Sequence, residues 1–317
     1  MEKTLSALII SGTGGLYTLC KETDHANLPR IFSCRGKGAF RHTAEKLLVG
    51  DRVVVRYDDT NPQESAVIRD ILPRTSALIR PPMANVTHLF ITFAAAKPTP
   101  ATETIDKLLA IATHSGIIPT IIITKTDIDA EAASYYQDIY TKAGFAVYLC
   151  SPKEKEAHLP ILEMLQALPE GSIAAFAGAS GVGKSTLLNR LFPQLSLATG
   201  EVSHRIERGR HTTRRVDLYD IGGEDSPKGV YIADTPGFSL IDFAHFDFFA
   251  LPDLFDSYSD FAPYFGACRY ADCTHTGEGA GECAIAKAVA EGKISPTRHQ
   301  SYISLYRVLK QKQNQYN

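Results

Sequence analysis

Between Leu5 and Leu72, apolar and polar side chains alternate in short runs: Leu5–Ile10, Gly15–Cys20, Arg30–Cys34, Arg52–Tyr57 and Ala66–Leu72. Clusters of Gly, Asn, Asp and Pro separate them. A period of two broken by turn formers predicts strands, and this number of short strands in so little chain predicts a small closed barrel of the OB type. Pro73 to Pro82 reads as a linker. Beyond it the pattern changes to apolar runs alternating with amphipathic stretches: strand Val86–Phe93, helix Glu103–His114, strand Ile117–Thr124, helix Ala130–Lys142, strand Ala146–Cys150, helix Leu159–Leu168 and strand Ile173–Ala177. Regular strand–helix alternation predicts a parallel, doubly wound α/β sheet covered on both faces. Near the end, Tyr302, Leu305, Tyr306 and Leu309 recur at helical spacing.

A chain of 317 residues exceeds what one hydrophobic core usually supports. The pattern divides it into a barrel at 1–75, an α/β domain at 76–245 and a tail at 246–317. With 44% hydrophobic and 21% charged residues and a net charge of −2, disorder or coiled coil is excluded for the whole. No apolar run is long enough to span a bilayer, and Leu5–Ile10 is too short for a secretory signal, so a cytoplasmic protein with no membrane partner is expected. No obvious dimerisation segment is present, and a monomer is expected. The small net charge hides a segregation: residues 216–260 carry ten Asp/Glu against one Lys, whereas 293–317 carry five Lys/Arg and no acid. Arg30, Arg35, Lys37 and Arg41 similarly concentrate positive charge in the barrel segment. A polyanion such as RNA would meet these two ends of the chain, although a solvated basic face reads the same way.

The chemistry lies between them. Strand Ile173–Ala177 runs into Gly178-Ala179-Ser180-Gly181-Val182-Gly183-Lys184-Ser185-Thr186, the glycine-rich phosphate loop that opens a helix. There main-chain N–H groups curl around a β-phosphate, Lys184 reaches the β and γ oxygens and acts catalytically, and the Ser185 hydroxyl ligates Mg²⁺. Thr124-Lys125-Thr126-Asp127 ends an apolar strand, where open α/β sheets bind ligands. Asp127 there can accept both N1–H and N2–H₂ of guanine, a donor pair adenine lacks. Thr124 stands where this motif usually has Asn. Ser151-Pro152-Lys153 is a second candidate base-contacting loop. Asp234-Thr235-Pro236-Gly237 follows an apolar run, bringing a carboxylate toward Mg²⁺ and the Gly237 N–H toward the γ-phosphate. Gly209-Arg210-His211-Thr212-Thr213 has the composition of a switch segment, in which Thr212 or Thr213 contacts nucleotide and completes the Mg²⁺ shell.

The order of these motifs is unusual. The base reader precedes the phosphate loop, and the Asp234 motif comes last. A circular permutation accounts for this, because joining nearby termini and opening another surface loop leaves the core intact. In Arg80-Pro81-Pro82, Ala84-Asn85-Val86, Thr124–Asp127, Gly178–Asn189, Gly209–Thr213, Asp234–Phe238 and the cysteine tail, the chain resembles the RsgA family of circularly permuted GTPases. That resemblance spans nearly the whole length. It implies binding of GTP and GDP, late maturation of the small (30S) ribosomal subunit, contact with its rRNA, and hydrolysis stimulated by that particle. Two other readings share the phosphate loop: an ATP-dependent enzyme such as a small-molecule kinase, and an RNA-binding module holding nucleotide as a structural ligand. Asp127 argues against the first; only turnover separates the second.

Of six cysteines, three cluster as Cys268-x₄-Cys273-x-His275-x₇-Cys283, three thiolates and one imidazole suited to a closed tetrahedral structural Zn²⁺ site. The helix after it carries Arg298, Arg307, Lys310 and Lys312, and either faces RNA or packs on its own domain. Phe238 occupies the position where many GTPases place the glutamine that orients water. His211 is the catalytic candidate for that task, with contact to RNA or solvent as its other reading.

Overall fold

The computed structural model describes residues 2–22, 28–36, 46–151, 153–154, 156–195, 216–223, 227–234 and 242–316. They fall into two compact units, one of 1–87, 168–175 and 201–237, the other of 88–167, 176–200 and 238–317.

The first unit contains the barrel: β1 (Glu2–Thr13), β2 (Leu16–Lys21), β3 (Ile31–Gly36), β4 (Arg52–Asp58), a single turn α1 (Pro62–Ser65) and β5 (Val67–Ile71). Pairing runs β1-β2-β3-β5-β4 and back to β1, antiparallel except between β3 and β5. Alternate positions Leu5, Ala7 and Ile9, then Val53, Val55 and Tyr57, point inward with Leu19, Phe32 and Ile68 and are buried. The ring closes between β3 and β5 through Arg35 with Val67 and Gly36 with Ile68, which shortens the open sheet edge. The expected linker is structured instead: β6 (Ala77–Ile79) pairs with β7 (Pro82–Ala84). Asn85 fastens this hairpin, accepting from Thr75 N at 2.8 Å and donating to Gly50 O at 2.8 Å. Gly50 must be glycine, since at φ 91° a Cβ would meet Ala84 O at 2.0 Å. Three-residue strands are too short for periodicity to reveal.

The second unit holds β8 (His88–Ala94), α2 (Thr102–His114), β9 (Ile118–Thr124), α3 (Ala130–Lys142), β10 (Ala146–Cys150), α4 (Leu159–Gln166) and α5 (Lys184–Leu191), then the tail helices α6 (Ala284–Ala290) and α7 (Pro296–Tyr316). β8 and β10 both pair in parallel with β9. Every residue of β8 is buried, His88 and Thr92 included, which explains why apolar residues dominate it without alternation. All these strands and helices of the α/β segment lie within about two residues of their predicted positions.

β11 (Ile173–Ala177) passes from one unit to the other. In the first unit Ile173–Ala175 pair in parallel with β13 (Tyr231–Asp234), which pairs antiparallel with β12 (Asp217–Asp220). β12 meets β1 at Ser11. The sequence did not reveal β12, four residues with an aspartate at each end.

The tail is held by a buried charge. Arg298 of α7 is 1% exposed and donates to Asp106 of α2 at 2.7 Å and to both oxygens of Asp260 at 2.7 and 2.6 Å. Its guanidinium lies 5.3 Å from the ring centre of Phe145 and 5.1 Å from that of Tyr258. Burial opposes the charge on Arg298, and the two carboxylates overcome it, raising its pKa. Tyr302, Leu305 and Leu309 are buried on the same helix. Of the cations expected to face outward, Arg298 is thus consumed internally. So is Lys312, which donates to the carbonyls of Phe243 and Phe246 and pairs with Asp247 at 2.7 Å. Arg307 and Lys310 remain exposed. Among the described residues no helix is long and apolar enough to cross a membrane.

Arg298→Ala would leave two carboxylates buried without their cation, a change that typically costs about 3–5 kcal/mol. We expect a lower urea midpoint for this variant, and an unfolding curve matching the unaltered chain would contradict the clamp.

Candidate nucleotide site and metal centre

β11 ends at Ala177, and Gly178 begins the turn into α5. Gly178 sits at φ 147°, where a Cβ would meet Thr92 O of β8 at 2.0 Å, so only glycine permits this approach. Gly183 at φ 101° then occupies the N-cap position of α5. Lys184, in the first turn, folds over the loop and donates to Gly178 O at 2.6 Å and Ala179 O at 2.9 Å. Ser185 follows, half-buried, while Ala179, Ser180, Gly181 and Thr186 are exposed and Val182 is buried. A helix start has N–H groups without intrahelical partners and a positive dipole end, a combination suited to phosphate.

The expected base reader is tied to this loop. Thr124, closing β9, donates from its hydroxyl to Val182 O at 2.5 Å, with Phe93 O at 3.2 Å. Lys125 adopts φ 55° and donates to Gly181 O at 2.7 Å and Lys97 O at 2.6 Å. Threonine therefore supplies the donor at the motif's first position, so the departure from Asn leaves the turn anchored. Asp127 accepts from Ser151 Oγ at 3.1 Å and pairs with Lys153 Nζ at 3.0 Å. Lys153 and Ser151 together hold its carboxyl below the usual carboxylate range. The Lys153 N–H donates back to Ser151 Oγ at 3.1 Å. Arg190 of α5 reaches Ser151 O at 3.4 Å, a brace the sequence reading missed. Thr124, Lys125, Asp127, Ser151, Lys153 and the phosphate loop are thus brought together in one compact unit. Asp234 closes β13 in the other unit. His211, Thr212, Thr213, Gly237, Phe238, Pro152, Lys37 and Arg41 lie outside the described residues.

In the tail, Cys268, Cys273, His275 and Cys283 present ligand atoms all within 4.8 Å of one another. His275 Nδ1 lies 3.5, 3.4 and 3.5 Å from the sulfurs of Cys268, Cys273 and Cys283, and the first and last sulfurs are 4.0 Å apart. A tetrahedron built on ordinary Zn–S and Zn–N bond lengths has edges of about 3.6–3.8 Å, so the donor set fits such an ion. Ala284 N donates to Cys268 Sγ at 3.3 Å and Ala286 N to Cys283 Sγ at 3.4 Å, contacts that favour thiolates. The loop is shaped by Glu278, whose carboxylate accepts from the N–H groups of Thr274, Thr276 and Gly277. Burial opposes that carboxylate's charge, yet these donors bring its pKa down to about 2. From α7, His299 Nε2 lies 2.7 Å from His275 O and Tyr302 donates to Thr274 O at 3.3 Å. Cys20, Cys34 and Cys150 are buried and free, as expected for core thiols.

Comparison with known proteins agrees with this geometry. Residues 71–244 match the RsgA GTPase family and residues 7–66 the RsgA N-terminal domain. The chain belongs to the RsgA family. The small ribosomal subunit biogenesis GTPase RsgA of Ruminiclostridium cellulolyticum is 36% identical, over 96% of this chain and 93% of that protein. RsgA of Geobacillus thermodenitrificans is 35% identical, over 97% of this chain and 98% of its own. Among solved structures, YloQ, a circularly permuted GTPase, superposes with a TM-score of 0.72 at 28% identity, covering 98% of this chain and 96% of that one. YjeQ from Thermotoga maritima gives 0.75 at 27% identity, with 97% and 99% covered. The OB-type barrel and permuted RsgA GTPase domain anticipated from sequence are therefore present.

Thr124→Val keeps the shape of the side chain and removes the hydroxyl, leaving Val182 O without that donor. A loss of about 1–3 kcal/mol in stability should follow, whereas Thr124→Ser should retain most of it. Equal chemical denaturation curves for Thr124→Val and the unaltered chain would show that the bond contributes nothing.

Proposed function

We propose that this chain is a GTP hydrolase that acts as a monomer in the cytoplasm during late maturation of the small ribosomal subunit, contacting its rRNA and accelerated by it. The observation that carries this reading is the bonding of the Thr124–Asp127 turn to the phosphate loop through Val182 and Gly181. Guanine recognition and phosphate binding thereby share one rigid frame. The names of the relatives support the choice of particle. In this reading the segments 1–75, 76–245 and 246–317 serve as RNA-binding barrel, GTPase domain and zinc-binding tail.

Each residue then has a task. Main-chain N–H groups from Gly178 to Thr186 surround the β-phosphate, and Lys184 moves from the loop carbonyls to the β/γ oxygens, stabilising charge that develops there. Asp127 accepts the two guanine donors, oriented by Ser151 and Lys153 beside it. Ser185 and Thr212 offer hydroxyl oxygens, the hard ligand type Mg²⁺ prefers. Held by these oxygens, such an ion would supply positive charge to offset that of the phosphates. Asp234 contributes its carboxylate toward Mg²⁺, the Gly237 N–H approaches the γ-phosphate, Thr213 lines the nucleotide, and His211 orients the attacking water. Cys268, Cys273, His275 and Cys283 would hold one structural Zn²⁺.

The decisive measurement compares GTP and ATP turnover with and without purified 30S particles. GTP alone should be hydrolysed, slowly in isolation and faster with 30S. Asp127→Asn should shift preference from GTP toward xanthosine triphosphate, whose C2 carbonyl calls for a donor. Equal affinity of the unaltered chain for ATP and GTP, or acceleration by 50S but not 30S particles, would refute the assignment.

Metal analysis should find about one zinc per chain in protein prepared without chelators. Cys273→Ser should lower that content and increase proteolysis within 268–283. Zinc-free protein with the same protection would dismiss the metal.

A further inference from the structure

Asp234 closes a strand pair that the barrel holds at both ends. In β12 and β13 the register pairs Asp217 with Asp234 and Asp220 with Tyr231. Two four-residue strands make a marginal hairpin, and its outer strand depends on what covers it. The cover is β1. That strand pairs with β4 from Glu2 to Leu8 and with β2 from Ala7 to Thr13, with a register shift between Ile9 and Ser11. A bulge of this kind bends a strand and sharpens its twist. Past it, β1 takes β12 as its neighbour at Ser11, opposite Asp217. Ser11, Asp217 and Asp234 therefore form one row across three strands, which at the usual strand spacing separates the barrel from Asp234 by about 10 Å.

The other end is held by charge. Arg30, immediately before β3, donates to Asp220 Oδ2 at 3.0 Å. The same carboxylate accepts from the N–H groups of Gly222, Lys228 and Gly229 at 2.9, 2.8 and 2.9 Å, closing the loop between β12 and β13. Nearby, Tyr231 donates from its hydroxyl to Cys20 Sγ of β2 at 3.5 Å. Side chains on two barrel strands or their margins thus grip residues on both strands of the pair.

We propose that the barrel is a positioning element for Asp234, with Arg30 and Tyr231 as positioning residues: RNA bound to the barrel sets the γ-phosphate motif through the pair β12–β13. This rests on the proposed roles of the barrel and of Asp234. Coupling of this kind is reciprocal, so barrel affinity for RNA must depend on the nucleotide. The separation from a purely structural role follows from that reciprocity. A structural contact changes stability or binding equally in every nucleotide state, whereas a coupling contact changes the difference between states.

The experiment measures affinity for purified small subunits with a non-hydrolysable GTP analogue and with GDP, alongside basal and subunit-stimulated turnover, in the full chain. Variants are Arg30→Met, Arg30→Lys and Tyr231→Phe. In the unaltered chain the two affinities should differ by about fivefold or more, the lower end of common coupling strengths. Arg30→Met should bring that ratio toward one and cut stimulated kcat, while basal turnover and KM for GTP stay within about twofold, a range too small to register as coupling. Arg30→Lys should restore part of the ratio, and Tyr231→Phe should lower it less. If Arg30→Met weakens subunit binding equally in both states, or leaves ratio and stimulated kcat unchanged, the coupling is overturned. Lack of any stimulation in the unaltered chain would instead defeat the functional reading on which it rests.

Discussion

The turn after β9 is fastened to the phosphate loop by side chains donating to main-chain carbonyls, and the nucleotide site depends on this fastening. Thr124 bonds Val182 O, and Lys125 bonds Gly181 O, across 58 and 56 residues of chain. Both carbonyls belong to the loop proposed to hold phosphate. Satisfying them with side-chain donors restrains the peptide planes of the loop. Lys125 pays the strain of φ 55° to reach them. Because the fastening links strand ends in space, the order in which the chain visits them is immaterial. A permuted gene can therefore keep an unpermuted site.

The tail poses a different problem. Between Asp242 and Cys283 the chain contains no long helix or strand, only short 3₁₀ turns at Leu251–Asp253 and Ser259–Tyr264. Such a segment has little periodic structure to bury, and two local devices compensate. One is the donor set around His275, buttressed by Glu278, His299 and Tyr302. The other is Arg298, buried with Asp106 and Asp260. Asp106 belongs to α2, so the ion pair fastens tail to α/β core inside the same compact unit. A buried pair is weak evidence of net stability, but it specifies partner and geometry, since an unmatched alternative leaves a bare charge in the interior.

Much of this was legible in the chain itself because the signals were local. Barrel strands alternate, parallel strands are mostly apolar without alternation, and the phosphate loop and Cys/His cluster are each contained in a few residues. What stayed hidden depends on distant partners. Arg30 and Arg298 read as exposed cations because nothing near them in sequence announces Asp220, Asp106 or Asp260. Thr124 read as a departure from the motif until its hydroxyl was seen to donate where an amide would. β12 and the β6–β7 hairpin are shorter than the windows in which a period can be recognised, and their pairing comes from Ser11 and Asn85.

The same distinction bears on how positive charge is used. A basic stretch suggests RNA only to the extent that its cations are free, and here the structure has already matched part of the charge. Arg298 neutralises Asp106 of α2 and Asp260 of the tail, Lys312 pairs with Asp247, and Arg30 meets Asp220 in the unit that contains the barrel. Arg35, Arg307 and Lys310 stay exposed. Electrostatic attraction to a polyanion therefore falls to fewer residues than the sequence suggests, and the salt dependence of association scales with their number. The cations withdrawn from that role give the fold something else. Each joins segments far apart in the chain, so the acidic stretch from 216 to 260 is partly balanced from within, and its aspartates become anchor points for the elements that carry Asp234 and the metal loop.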